Sequence, residues 1–102
     1  MNQLINEHRS ELTDLCRQYK VHRLELFGSA ARSKQVTEIG DLDFLVEFAN
    51  PGQMGYAEAY FGLLESLQKL FNKPVDLVQL SAVKNPYFLQ SIEKNRTVLY
   101  AA

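Results

Sequence analysis

The chain is short of several things, and each shortage closes off a class of protein. It has one cysteine, Cys16, in 102 residues, so no intrachain disulfide can form, and a reducing compartment is the simplest setting. It has no excess of either charge: 11 basic residues stand against 12 acidic ones, for a net charge of −1. A polybasic footprint is missing, and no long nucleic-acid track is expected. No apolar run approaches the roughly 20 residues needed to cross a bilayer. The opening residues, Met1 to Arg9, lack the charged-then-apolar layout of a signal peptide. The expectation is a cytoplasmic protein with no membrane partner. There is no internal repeat, low-complexity segment or linker, and the length suits one domain over 1–102. What the chain does have is a 46% hydrophobic and 11% aromatic composition, enough to build a core.

Periodicity divides the chain into elements. Leu4, Ile5, His8, Leu12, Leu15, Cys16 and Tyr19 recur at steps of three and four and predict an amphipathic helix over about 2–19. Residues 21–27 and 42–48 are short apolar runs bounded by turn residues and predict strands. Ala30, Ala31 and Arg32 begin a short helical turn, and 33–40 is polar loop. A long helix is predicted over about 54–71, with Tyr60, Phe61, Leu64, Leu67, Leu70 and Phe71 on its apolar side. Residues 75–80 read as a third strand and 97–100 as a last short one, with a short helix after Asn85-Pro86 between them. The fold class that follows is α/β, in the α+β sense: a small mixed β-sheet with helices packed on one face.

The stretch "FGSAARSKQVTEIGDLDFLV" carries the chemistry. Asp41 and Asp43 alternate where a strand enters the core, so both point to one face, about 6.6 Å apart along the strand. A solvated strand edge, a metal site and an interaction surface all fit that pattern. Adjacent carboxylates repel, more so on burial, and a divalent cation such as Mg²⁺ relieves the repulsion. Asp76 lies in a second apolar strand, Val75-Asp76-Leu77-Val78. If the two strands are neighbours, it completes a three-acid cluster suited to two Mg²⁺ ions on a transferring phosphoryl group; otherwise it is an outward-facing strand residue. Gly28 and Ser29 at a strand-to-helix turn either let backbone approach a phosphate or cap a helix. Arg32, one turn later, either reaches a phosphate, pairs with Glu38 or an Asp, or is solvated.

Taken together, "GSAAR", "GDLDFLVEF" and "PVDLV" resemble the nucleotidyltransferase superfamily that includes DNA polymerase beta, in its minimal MNT-type branch. The resemblance implies a Mg²⁺-dependent enzyme with Asp41 and Asp43 holding two ions. Asp76 would bind one of them and help activate the attacking hydroxyl. Gly28 and Ser29 would hold the β- and γ-phosphates of ATP, with Arg32 as the motif's basic residue. It also implies an antitoxin whose partner is a HEPN-domain toxin and whose reaction is transfer of AMP to a toxin tyrosine. The alternatives are a non-catalytic antitoxin that acts by contact alone and nucleotidyl transfer to a small molecule. A homodimer or hetero-oligomer is compatible with each. Ser33 stands where the family often has Gly, and Gly40 where Ser is frequent.

Other features read as structural. Cys16 is expected as a buried thiol, and His8 and His22 lack metal-ligand spacing. The aromatics Tyr56, Tyr60, Phe61 and Phe71 read first as core, with an interface along the helix as the second reading. Lys94 and Arg96 read as solvated charges ahead of a nucleotide contact.

Overall fold

A computed structural model describes residues 3–27, 41–49, 55–79 and 96–102. Their elements run α1 (Gln3–Glu7), α2 (Arg9–Gln18), β1 (Val21–Phe27), β2 (Leu42–Phe48), α3 (Tyr56–Phe71), β3 (Val75–Gln79) and β4 (Thr97–Ala101). The predicted turn at Ala30–Arg32 and the helix after Asn85 lie outside the described residues. No described helix is long and apolar enough to cross a membrane.

The four strands form one mixed sheet in the order β3-β2-β1-β4. β1 is antiparallel to both β2 and β4, while β2 and β3 are parallel. Parallel neighbours need a crossover, and α3 lies within it, as parallel geometry requires. Side-chain alternation gives the sheet two different faces. Leu24 and Leu26, then Leu42, Phe44, Val46 and Phe48, then Leu77 share one face. That face is buried with Ile5, Leu12 and Cys16 from α1 and α2 and with Leu63, Leu67 and Phe71 from α3. Arg23, Glu25, Phe27, Asp43, Leu45, Glu47 and Asp76 share the other.

The first helix breaks where the periodicity does not. His8 has φ −115° and ψ 17°, outside the helix, and separates α1 from α2. Its N–H donates to the Ile5 carbonyl in a tight turn, and its own carbonyl accepts from Leu12 N–H. The imidazole packs on Phe71 with centroids 5.2 Å apart. The tertiary contact explains a break that a one-dimensional pattern continues through.

α3 buries Leu63, Leu67 and Phe71 at steps of four, while Phe61 stays 63% exposed. Phe61 therefore does not belong to the buried stripe that the sequence assigns it to. The helix is apolar on more than one line, and only one line meets the sheet. Asn72 ends α3 in the left-handed region at φ 52°, its N–H donating to the Gln68 carbonyl, which a small polar side chain tolerates.

Gly62 sets how closely α2 and α3 approach. A Cβ placed there would lie 2.6 Å from Cε1 of Tyr19, and the Tyr19 hydroxyl is in turn hydrogen-bonded to Ser66 Oγ at 3.3 Å. Gly62→Ala gains about 1 kcal/mol of helix propensity but must displace a packed ring. A net loss of about 1–2 kcal/mol is expected in urea unfolding. In a Tyr19→Ala background the same substitution should become stabilising, because the ring is gone. A loss of equal size in both backgrounds would show that Tyr19 does not set the cost.

Candidate functional site

The site grows from the parallel pairing of β2 with β3. Each strand is apolar enough to be pulled into the sheet, and each carries one acid near its start. Their register sets Leu42 beside Val75, Asp43 beside Asp76 and Phe44 beside Leu77. Asp43 and Asp76 are thus direct neighbours on one sheet face, with backbones about 4.8 Å apart. The Leu42 N–H donates to the Pro74 carbonyl at 3.0 Å, locking the two strand starts together.

Asp41 lies just before β2 and is exposed, while Asp43 is half-buried. Burial raises the Asp43 carboxyl above its ordinary value, and the charges of Asp76 and Asp41 push it up further. Asp43 is the acid that this corner perturbs. The condition attached to Asp76 in the sequence is met: its strand does neighbour that of Asp43.

On the other side, Asp43 has Phe27 as its register partner. Phe27 is the last residue of β1 and is followed directly by Gly28-Ser29. The chain therefore reaches Gly28 from the position beside Asp43. Gly28, Ser29 and Arg32 themselves lie outside the described residues.

The donor chemistry of this corner suits a hard divalent cation. The acids offer only oxygen ligands, and a cation would offset both the burial and the neighbouring charges that raise the Asp43 carboxyl. Among the described residues, no three His, Cys, Asp or Glu side chains come together as a group able to hold a metal ion, so the three-acid cluster expected from the sequence is not assembled, and the acids brought into register are Asp43 and Asp76. Mg²⁺ does not require such a group. It is usually held by one or two carboxylates, with water and substrate phosphate oxygens completing the shell.

Two residues that the sequence leaves aside belong to the same face. Glu25 is 3% exposed, and Arg96 grips it with two hydrogen bonds, Nε to Oε1 at 3.2 Å and Nη2 to Oε2 at 2.6 Å. Arg96 is therefore not the solvated charge that its position near the C-terminus suggests. The available signal was Glu25 itself, a lone acid in the apolar run Leu24-Glu25-Leu26-Phe27. A carboxylate there requires a cation. Cys16, by contrast, is as expected: buried, with burial pushing its thiol up to about 12, far from reactive.

A four-stranded mixed sheet with helices on one face and neighbouring acids on the other is compatible with a nucleotidyltransferase class of protein. The sequence agrees: the nucleotidyltransferase domain family matches residues 9–99, and the chain belongs to that family. Two Methanocaldococcus jannaschii proteins, MJ1379 and MJ0128, both named "putative protein adenylyltransferase", are 37% and 39% identical to it. They align over 93% and 90% of this chain and 90% and 87% of their own lengths. A solved "putative minimal nucleotidyltransferase" superposes with a TM-score of 0.72 at 26% identity, covering 95% of each chain. The fold is shared too with one chain of a complex between a tri-AMPylated Shewanella oneidensis HEPN toxin and an MNT antitoxin. There the TM-score is 0.65 at 21% identity, over 95% of this chain and 72% of that one. The protein is a nucleotidyltransferase by family, and its structural neighbours include toxin–antitoxin complexes.

Proposed function

We propose that this protein transfers AMP from ATP to a tyrosine hydroxyl of a HEPN-type toxin and acts as that toxin's antitoxin. The observation that carries the reading is the side-by-side register of Asp43 and Asp76. That register puts two carboxylates side by side at the strand starts, with Asp41 two residues before Asp43, which supports a site for a hard cation and a polyphosphate. The protein-adenylyltransferase names of the relatives and the complexes among the structural neighbours support the acceptor and the partner.

In this reading Asp41 and Asp43 would hold two Mg²⁺ ions, and Asp76 would contribute to binding one of them. Bound Mg²⁺ supplies charge neutralisation on the phosphates and a lowered pKa for the acceptor hydroxyl. Gly28 and Ser29 hold the β- and γ-phosphates through backbone N–H groups and a hydroxyl, and Arg32 adds positive charge. Asp76 would accept the proton of the incoming phenol. The tyrosine oxygen then bonds to the α-phosphorus as the α–β anhydride bond breaks, and pyrophosphate leaves.

The experiment is label transfer from ATP labelled at the α-phosphate, with Mg²⁺ and a lysate that contains the candidate toxin. A labelled protein band is expected with wild type and none with Asp41→Asn/Asp43→Asn. The exposed Phe61 on α3 favours a second reading, neutralisation by contact alone. That reading gains if the double variant still protects cells as well as wild type does.

A further inference from the structure

Asp76 rides on a thinly held strand. β3 has five residues and lies at the sheet's edge, with β2 on one side only. Leu77 is its one buried residue, and the Asp76 side chain is exposed and adds no packing. The pairing with β2 is parallel, which is slightly weaker per residue than antiparallel. Like charges on the two strands push them apart.

The long helix supplies a further tie. The Tyr60 hydroxyl on α3 donates to the Leu77 carbonyl, one peptide beyond Asp76. The ladder fixes which way that carbonyl points. The Leu42 N–H on β2 donates to the Pro74 carbonyl, and successive carbonyls of a strand alternate in direction, so those of Pro74 and Asp76 turn to β2 and that of Leu77 turns to the open edge. Asp76 is therefore held by β2 on one side and by Tyr60 on the other. Tyr60 can act as an anchor because α3 is itself fixed: Leu63 and Leu67 on the same helix are fully buried. Its ring also meets that of Phe61 edge-on, with centroids 5.2 Å apart. Tyr56, one turn earlier, offers a contrast, since its buried hydroxyl has no hydrogen-bond partner.

We propose that Tyr60 is a positioning residue for the metal site, acting on Asp76 through the β3 backbone. The inference rests on the metal-site reading given above. A small hard cation demands near-ideal geometry, and a ligand constellation must be held to within about 0.5 Å. Asp43 meets that demand without help, because β2 is flanked by strands on both sides. Asp76 meets it only while the outer edge of β3 is held. Loss of the Tyr60 hydroxyl lets that edge drift and loosens the pair of acids without removing a ligand.

The test is Mn²⁺ binding, with Mn²⁺ standing in for Mg²⁺, followed by water-proton relaxation beside thermal melting and amide exchange. Tyr60→Phe removes the hydroxyl and keeps the ring, so the fold is retained. Its β3 amides are expected to exchange faster, and its Kd for Mn²⁺ to rise about three- to tenfold, the range that one hydrogen bond supplies. Tyr56→Phe removes a hydroxyl that bonds nothing and should leave Kd unchanged. In an Asp76→Asn background Tyr60→Phe should add little, because the group it positions has lost its charge. A purely structural bond would speed exchange and lower the melting temperature with Kd unchanged, and that result overturns the proposal. An equal rise in Kd with and without Asp76 overturns it too. Wild type that binds no Mn²⁺ overturns the metal-site reading as well.

Discussion

Asp43→Asn is expected to abolish nucleotide transfer and, in the same molecule, to raise the melting temperature. The two effects have one cause. Asp43 is half-buried beside Asp76 and near Asp41, and burial and both charges raise its carboxyl. An acid whose folded pKa is raised binds its proton more tightly in the folded state. Its stabilising contribution is therefore fully present below the unfolded value near 4 and is lost as pH rises through the folded value. At neutral pH the wild-type fold carries a repulsion that the Asn variant lacks. The gain is up to about 1 kcal/mol, since a half-exposed carboxylate is screened by solvent. Melting curves of the two proteins should coincide below about pH 4 and separate above it, with the variant higher. Mg²⁺ should raise the wild-type curve by binding the native state and leave the variant nearly unmoved. Transfer should fall on the order of a thousandfold or more, as loss of several kcal/mol of charge stabilisation implies. A variant that melts lower than wild type at neutral pH would remove the repulsion argument. A variant that still transfers would remove Asp43 from the metal site.

Arg96→Met is the second large effect, and it acts on folding. It strands a carboxylate that is 3% exposed with only Arg23 nearby. Breaking a buried pair from one side costs about 3–5 kcal/mol. The lower end applies here, because the Arg96 side chain retains 25% exposure. For a chain of this size, about 3 kcal/mol corresponds to a fall of roughly 10–20 °C in Tm. Glu25→Leu added to Arg96→Met removes the stranded charge and should recover most of that loss. Differential scanning calorimetry of the single and double variants checks it. Equal melting temperatures for both would show that the carboxylate is not the source of the penalty.

The strands of the site were legible in the sequence, and the pairing that makes it a site was not. β1 and β2 have the bounds expected from their apolar runs, because each is short and ends at turn residues. The long helix was legible for the same reason, its start shifting from 54 to Tyr56. Asp41 and Asp43 are local in sequence, so their common face follows from alternation alone. Asp76 is 33 residues beyond Asp43, and no local pattern says which strands touch; only the register supplies that. Glu25 and Arg96 lie farther apart still, in elements that meet at the opposite side of the sheet. A bidentate ion pair leaves no periodic trace. The break at His8 and the exposure of Phe61 were illegible for the converse reason. The helical pattern was clear, and the tertiary surroundings chose which parts of it to use.

The parallel seam between β2 and β3 also orders events in time. β1 and β2 face each other across an antiparallel pair, while β3 must wait for α3 to form and fold back over the sheet. Non-local pairing of this kind comes late, because loop closure has to precede any contact that rewards it. Until the seam closes, Asp76 is absent from the corner that holds Asp41 and Asp43. Closing it brings like charges together, so this step runs uphill electrostatically and is drawn forward by the apolar neighbours Leu42, Phe44 and Leu77. A chain stalled before that step would keep most of its secondary structure and have no complete acid corner.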